Sequence, residues 1–155
     1  MYRYHILLGG NIGNTPLIFR QALSHIYDLG SIEKKSSLYR TLPWGKAEQR
    51  YYFNQMILLR TKLGPFALLR HLKKIEKNFH RIGKGQMLPR KLDLDIIYFE
   101  DRIISSHHLT IPHEHLHKRH FVLLPLKEIS PQFIHPILNM NTLSLLEEIN
   151  NSNNL

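Results

Sequence analysis

Leu92-Asp93-Leu94-Asp95-Ile96-Ile97-Tyr98-Phe99 is the stretch on which the fold turns. Its Leu, Ile and aromatic content, with a Glu100-Asp101 turn behind it, reads as a buried strand. Side chains alternate along a strand, so Leu92, Leu94 and Ile96 share one face while Asp93 and Asp95 share the other, about 6–7 Å apart. Two carboxylates side by side on an apolar strand repel each other and lose solvation, which is unfavourable unless a cation compensates. Hard oxygen donors favour Mg²⁺, which keeps several waters and takes one or two carboxylates together with substrate phosphates. Alternatively, both acids sit at an exposed strand end.

Upstream of this octet the pattern predicts three strands and two helices. Residues 2–8 form the first strand, and Gly9-Gly10-Asn11-Ile12-Gly13-Asn14 the loop leaving it. A helix follows, with Asn14 or Thr15 as cap, Pro16 in its first turn, Ile18, Ala22, Ile26 and Leu29 at helical spacing, and Gly30 in the left-handed position beyond its end. Residues 31–39 read as a second strand, residues 40–50 (with Pro43 and Gly45) as an exposed loop, and residues 52–61 as a third strand. Gly64-Pro65 opens a second helix whose apolar stripe is Phe66, Leu69, Leu72, Ile75 and Phe79. The octet is then the last strand of a β-α-β-β-α-β order. That is the split βαβ arrangement of a ferredoxin-like α+β domain, a largely antiparallel sheet with helices on one face. Downstream, residues 102–104 return from the turn, the chain is irregular around Pro112, and residues 121–129 and 142–149 are helical.

The length of 155 residues suits one domain over 1–155, with the Asn-rich end at 150–155 frayed. Without cysteine there is no disulfide framework and no thiolate zinc site. No signal peptide and no long apolar run is present, which points to a cytoplasmic protein with no membrane association. The balance of 21 basic to 12 acidic residues, net +9, attracts polyanions. Between Arg70 and Lys91 eight basic residues stand against one acid, Glu76, which suits a phosphate-rich ligand as well as it suits a solvated helix face.

Residues 80–91 lack periodicity and carry Gly83, Gly85 and Pro89, so they read as a loop of the kind that closes over substrates. Arg81 and Arg90 bracket it, and guanidinium forks there match phosphate oxygens beside the acid pair. The Gly9–Gly13 loop lacks the Lys-Ser/Thr of a phosphate-binding P-loop and reads as a tight turn. His113, His115 and His117 alternate, yet Pro112 breaks a regular strand there; a single histidine donating to phosphate is preferred over a zinc site. Tyr51-Tyr52-Phe53-Asn54 and Phe121 offer aromatic faces and an amide for a planar heterocycle, or else simply fill the core.

Four blocks of the chain resemble one family, the 6-hydroxymethyl-7,8-dihydropterin pyrophosphokinases of folate biosynthesis. They are Leu8-Gly9-Gly10-Asn11-Ile12-Gly13-Asn14; Ser36-Ser37-Leu38-Tyr39-Arg40-Thr41 with Pro43, Gly45 and Tyr52-Phe53-Asn54; Pro89-Arg90-Lys91-Leu92-Asp93-Leu94-Asp95-Ile96; and Leu109-Thr110-Ile111-Pro112-His113 with Arg119-His120-Phe121-Val122-Leu123-Leu124-Pro125-Leu126. The resemblance implies transfer of pyrophosphate from ATP to the pterin hydroxymethyl oxygen, with release of AMP and two Mg²⁺ ions on Asp93 and Asp95. It implies a pterin site of Thr41, Leu42, Trp44, Asn54, Tyr52 and Phe121, the two rings forming a sandwich. On the ATP side it implies Glu76, Ile96, Thr110, His113 and Arg119, with Arg81 and Arg90 on the phosphates and, with the two acids, in the catalytic set. Small-molecule substrates, no nucleic acid and a monomer complete the expectation.

The chain departs from the family where many members carry Arg-Trp-Gly-Pro-Arg and this one has Gln86-Met87-Leu88-Pro89-Arg90. A loop arginine and a lid tryptophan are missing, and Lys84 and His80 are the candidates to substitute. Leu42 replaces a common proline, and Glu114 an aromatic. Two rival functions follow: a family member that binds without catalysing, and a basic RNA-binding module, although the aromatic signature of RNA modules is absent.

Overall fold

The computed structural model describes residues 1–41, 51–80 and 91–153. β1 (Tyr2–Gly10) runs into α1 (Thr15–Tyr27), followed by β2 (Gly30–Lys35), β3 (Tyr39–Thr41), β4 (Tyr52–Thr61), α2 (Pro65–Phe79) and β5 (Asp93–Phe99). Two short strands, β6 (Ile104–Ser105) and β7 (Thr110–Ile111), pair with each other, and α3 (His120–Ile129) and α4 (Thr142–Asn153) close the chain. Asn14 caps α1 by accepting from the Leu17 amide at 3.3 Å, and Pro16 sits in the first turn, where no helical partner awaits its missing N–H.

The main sheet runs β2-β4-β1-β5, all antiparallel, with β3 also paired to β4. This is the split βαβ order expected of a ferredoxin-like fold. One face packs on α1 and α2 through Tyr4, Ile6 and Leu8 of β1, Phe19 and Ile26 of α1, Leu68 and Leu72 of α2, and Leu94 and Ile96 of β5. Each such side chain contributes about 1.5–3 kcal/mol by leaving water. Left to the βαβ unit alone, the other face would be bare. Instead of helices on one face only, α3 and α4 cover this second side, with Val122, Leu123, Leu126 and Leu145 packed on Leu7, Met56, Ile97 and Tyr98.

Several local expectations need correction. The strand expected over residues 31–39 is two pieces, β2 and β3, because residues 36–38 leave the ladder, and Arg40 and Thr41 belong to β3 rather than to a loop. Gly30 does not adopt a left-handed conformation; it opens β2, where a Cβ would stand 2.1 Å from the Arg60 carbonyl oxygen. The buried stripe of α2 is Leu68, Leu72 and Ile75 with Glu76, while Phe66 is 43% exposed. Both stripes have helical spacing and share Leu72 and Ile75, so only docking decides between them. Residues 102–104 do not return along β5: Arg102 makes one bridge to Phe99, and Ile104 pairs with β7. Helix α4 continues to Asn153, past the expected end at Ile149. Among the described residues no helix is long and apolar enough to cross a membrane.

β5 carries a bulge. Ile6 of β1 pairs with Ile96 but His5 pairs with Tyr98, leaving Ile97 as the extra residue. Ile97 and Tyr98 therefore both join the α3/α4 side, whereas Ile96 and Phe99 belong to the α1/α2 side.

Candidate active site

The register of the sheet gathers the site. Gly9 of β1 is the cross-strand partner of Asn54 on β4 and of Asp93 on β5, and Asn54 is in turn the partner of Tyr39 on β3. Two residues back along β1, Leu7 partners Met56 and Asp95. Directly opposed residues share a face, and Leu7 and Met56 lie on the α3/α4 side. Asn54, Asp93 and Asp95 therefore share that side, as do Tyr52 and Thr41, which stand two residues from Asn54 and Tyr39 on their strands and pair with each other. Phe121, at the start of α3, packs partly buried against the same cluster.

Gly9 is what keeps this row open. A Cβ there would stand 3.2 Å from Asn54 Oδ1 and 3.4 Å from the Tyr52 ring, so a side chain would fill the space between the amide and the acids. Asn54 is buried, and among the described residues its Nδ2 has no hydrogen-bond partner. A buried N–H without a partner costs about 1–3 kcal/mol, which a ligand acceptor would return. Thr41 Oγ1 donates to the Tyr52 carbonyl at 3.4 Å.

Asp93 and Asp95 are half-buried and alternate with the buried Leu92, Leu94 and Ile96. β5 is an edge strand of the main sheet, so its outer side faces a cavity of about 240 Å³. Asp95, Ile96, Thr110 and His113 all line it, together with Leu69, Lys73 and His108. Glu76 stands behind the strand: its Oε2 accepts from the Leu94 amide at 2.7 Å, and Lys73 lies 3.2 Å from Oε1. Burial pushes the Glu76 carboxyl up, against the lowering effect of Leu94 N–H and Lys73. The His113 amide donates to the Ile97 carbonyl at 3.0 Å, and burial, then Arg119, holds its imidazole below the usual histidine value. Its Nδ1 is buried without a partner among the described residues. The Arg119 guanidinium sits 5.6 Å from the Phe121 ring centroid. It does not line the 240 Å³ cavity. Leu42, Trp44, Arg81 and Arg90 lie outside the described residues.

The sheet and the cavity beside β5 thus separate into an amide-and-aromatic half and an acid-and-groove half that meet at Gly9. The sequence model of the 7,8-dihydro-6-hydroxymethylpterin-pyrophosphokinase (HPPK) family matches residues 5–131. The chain belongs to this family. The 2-amino-4-hydroxy-6-hydroxymethyldihydropteridine pyrophosphokinase of Aquifex aeolicus is 35% identical over 137 residues, covering 88% of this chain and 86% of its own. The protein of the same name from Synechocystis is 38% identical over 144 residues, covering 92% and 73%. Among solved structures, the Plasmodium falciparum HPPK-DHPS crystallised with pteroate superposes with a TM-score of 0.76 at 17% identity, covering 95% of this chain. The chain spans 42% of that structure's length, and the likeness speaks for an HPPK fold.

The donor set suits the metal implied by the family. Two carboxylates on one half-buried strand face are hard oxygen ligands, and among the described residues no group of three His, Asp or Glu forms a cage of its own. Mg²⁺ binds in this way, through few protein carboxylates and the phosphates of a nucleotide. His115 and His117 lie in and beside the 3₁₀ turn Leu116–Lys118 and do not join the pair. Two contributors escaped the sequence reading, Gly9 as a spacer and His108 in the groove wall, while Lys73 belongs to the basic run between Arg70 and Lys91. Gly9 carried a signal, a glycine ending an apolar run.

Proposed function

We propose that this HPPK-family chain transfers the terminal diphosphate of ATP to the hydroxymethyl oxygen of 6-hydroxymethyl-7,8-dihydropterin, releasing AMP. The observation that carries this reading is the row Asn54–Gly9–Asp93. Its ends stand two strand spacings apart, about 9–10 Å. That span matches a bicyclic ring held at its edge by the amide, with its hydroxymethyl arm reaching the acids.

Asn54 donates its free Nδ2 hydrogens to the ring edge, Tyr52 and Phe121 stack on its faces, and Thr41 with Leu42 and Trp44 borders it. Asp93 and Asp95 hold two Mg²⁺ ions, which when bound neutralise phosphate charge and align the transferred group. Ile96 and Thr110 line the nucleotide groove, and neutral His113 offers one ring N–H to it. Glu76 fixes the Leu94 amide behind the groove, while Arg81, Arg90 and Arg119 supply guanidinium groups to the phosphates. No protein nucleophile is required, because alignment and charge neutralisation carry phosphoryl-type transfer. The protein acts as a cytoplasmic monomer on small molecules.

The test is product analysis with ATP, magnesium and the hydroxymethyl pterin. AMP and a diphosphorylated pterin should appear in equal amounts. ADP as the nucleotide product would refute the reading, and pterin binding without AMP would identify a member that binds but does not catalyse.

A further inference from the structure

One carboxylate outside the site ties α3, which carries Phe121, to β3, whose Thr41 pairs with Tyr52. Glu128, near the end of α3, accepts the Tyr39 hydroxyl on Oε1 at 2.7 Å, and on Oε2 the Ser37 amide at 2.8 Å and the Ser37 hydroxyl at 3.3 Å. The same segment is pinned from the sheet side. Ser36 Oγ accepts the Met56 amide at 2.9 Å, and the Ser36 carbonyl accepts Gln55 Nε2 at 2.8 Å. Strand β3, only three residues long, is thus fixed at its start both by β4 and by α3.

Helical geometry links this tie to the site. Phe121 precedes Glu128 by seven residues, close to two turns, so both side chains project from the same side of α3, roughly 10 Å apart along its axis. Glu128 grips Ser37 and Tyr39, and two residues after Tyr39 comes Thr41, paired with Tyr52. Helix and strand therefore run side by side, the tie at one end and the aromatic slot at the other. An exposed carboxylate with three inward hydrogen bonds adds modestly to stability but fixes distance and direction well, because each donor constrains a different oxygen lone pair.

We propose that Glu128 is a positioning residue for the pterin slot, holding α3 against β3 so that Phe121 stands at stacking distance from the wall made by Thr41 and Tyr52. The inference rests on the pterin site proposed above. Glu128 touches no substrate; it acts through Tyr39 and Ser37.

The experiment compares E128A, E128Q and Y39F with the wild type, using steady-state AMP release and calorimetric titration of 6-hydroxymethylpterin in the presence of magnesium and a non-hydrolysable ATP analogue. E128A should raise the pterin KM and Kd about tenfold, Y39F about threefold, with kcat and the ATP KM within about twofold of wild type. E128Q keeps one oxygen for the Tyr39 hydroxyl but turns its NH2 toward the Ser37 amide, so it should recover only part of the loss. Unchanged pterin KM and Kd in E128A would overturn the proposal. So would an equal rise in both KM values with a lowered Tm, since that is a general loosening of the fold. Y39F, which removes a single oxygen, keeps the question open to measurement if E128A folds poorly. Failure of the wild type itself to bind pterin or release AMP would instead refute the function on which the inference rests.

Discussion

The two faces of the sheet are built from the same strands and to opposite ends. Toward α1 and α2, β1, β4 and β5 present Tyr4, Ile6, Leu8, Ile57, Leu59, Leu94 and Ile96. Two polar side chains on that side are matched: the Tyr4 hydroxyl donates to the Leu63 carbonyl, and Gln55 Nε2 to the Ser36 carbonyl. Toward α3 and α4, the neighbouring positions bring His5, Asn54, Asp93 and Asp95 up against Leu7, Met56, Ile97 and Tyr98. Here Asn54 Nδ2 and the Tyr98 hydroxyl are buried without partners among the described residues. The first face holds the chain together, and the second gives up part of that stability to carry groups that await a ligand.

Exchanging one residue on each face is the strongest way to break this contrast. D95A should lower the rate of AMP release at least about a thousandfold in protein that remains folded, because it removes a metal ligand. L94A, the next residue in the chain but facing α1 and α2, should cost about 3 kcal/mol in urea unfolding and leave kcat nearly intact in the folded fraction. Equal effects of the two on both measurements would abolish the division.

Acid should find the second face first. Burial, then Lys34, lowers the His5 pKa from 6.5 to about 4, with its Nε2 2.8 Å from Ser130 Oγ. Below pH 6.5 the unfolded chain takes up this proton before the folded one does. Stability present at neutral pH is therefore lost as the pH falls toward 4, by about 3 kcal/mol at roughly 1.4 kcal/mol per unit. Unfolding measured at pH 7.5 and pH 4 should show that loss in the wild type and a loss smaller by this amount in H5Q.

Asn54 sharpens the contrast further. N54A should raise the pterin KM about tenfold while leaving thermal stability level, since Nδ2 has no partner to lose within the described residues. The smallest effect is electrostatic. Arg70, Lys74 and Lys77 line a second groove, of about 670 Å³, that shares Leu69, Lys73 and His108 with the cavity beside Asp95. Neutralising all three to Gln should raise the ATP KM about two- to threefold at low salt and by less at high salt, where the field is screened.

Much of this was legible before any coordinates. Alternation in Leu92–Phe99 placed the acids on one face and their apolar neighbours on the other because a strand's period is fixed at two. The position of Asn54 beside the acids was not legible, because strand order depends on which distant segments pair, and only the register through Gly9 brings β4 and β5 to the same row. The stripe of α2 was misplaced by part of a turn, Phe66 for Leu68, since two overlapping sets of apolar residues satisfy one helical period. The Glu128 tie gave no signal at all: a lone glutamate near a helix end looks like solvent-facing charge until the strand it grips is in place.

The extra residue at Ile97 has a reach beyond its own kink. It resets the parity of β5, so that odd-numbered positions look toward the ligand side before it and even-numbered ones after it. The acid-bearing segment and the foundation that includes Tyr98 are thereby uncoupled in phase. A one-residue slip above the reset would turn both aspartates into the oily layer beneath, yet would leave Tyr98 and Phe99 seated where they are.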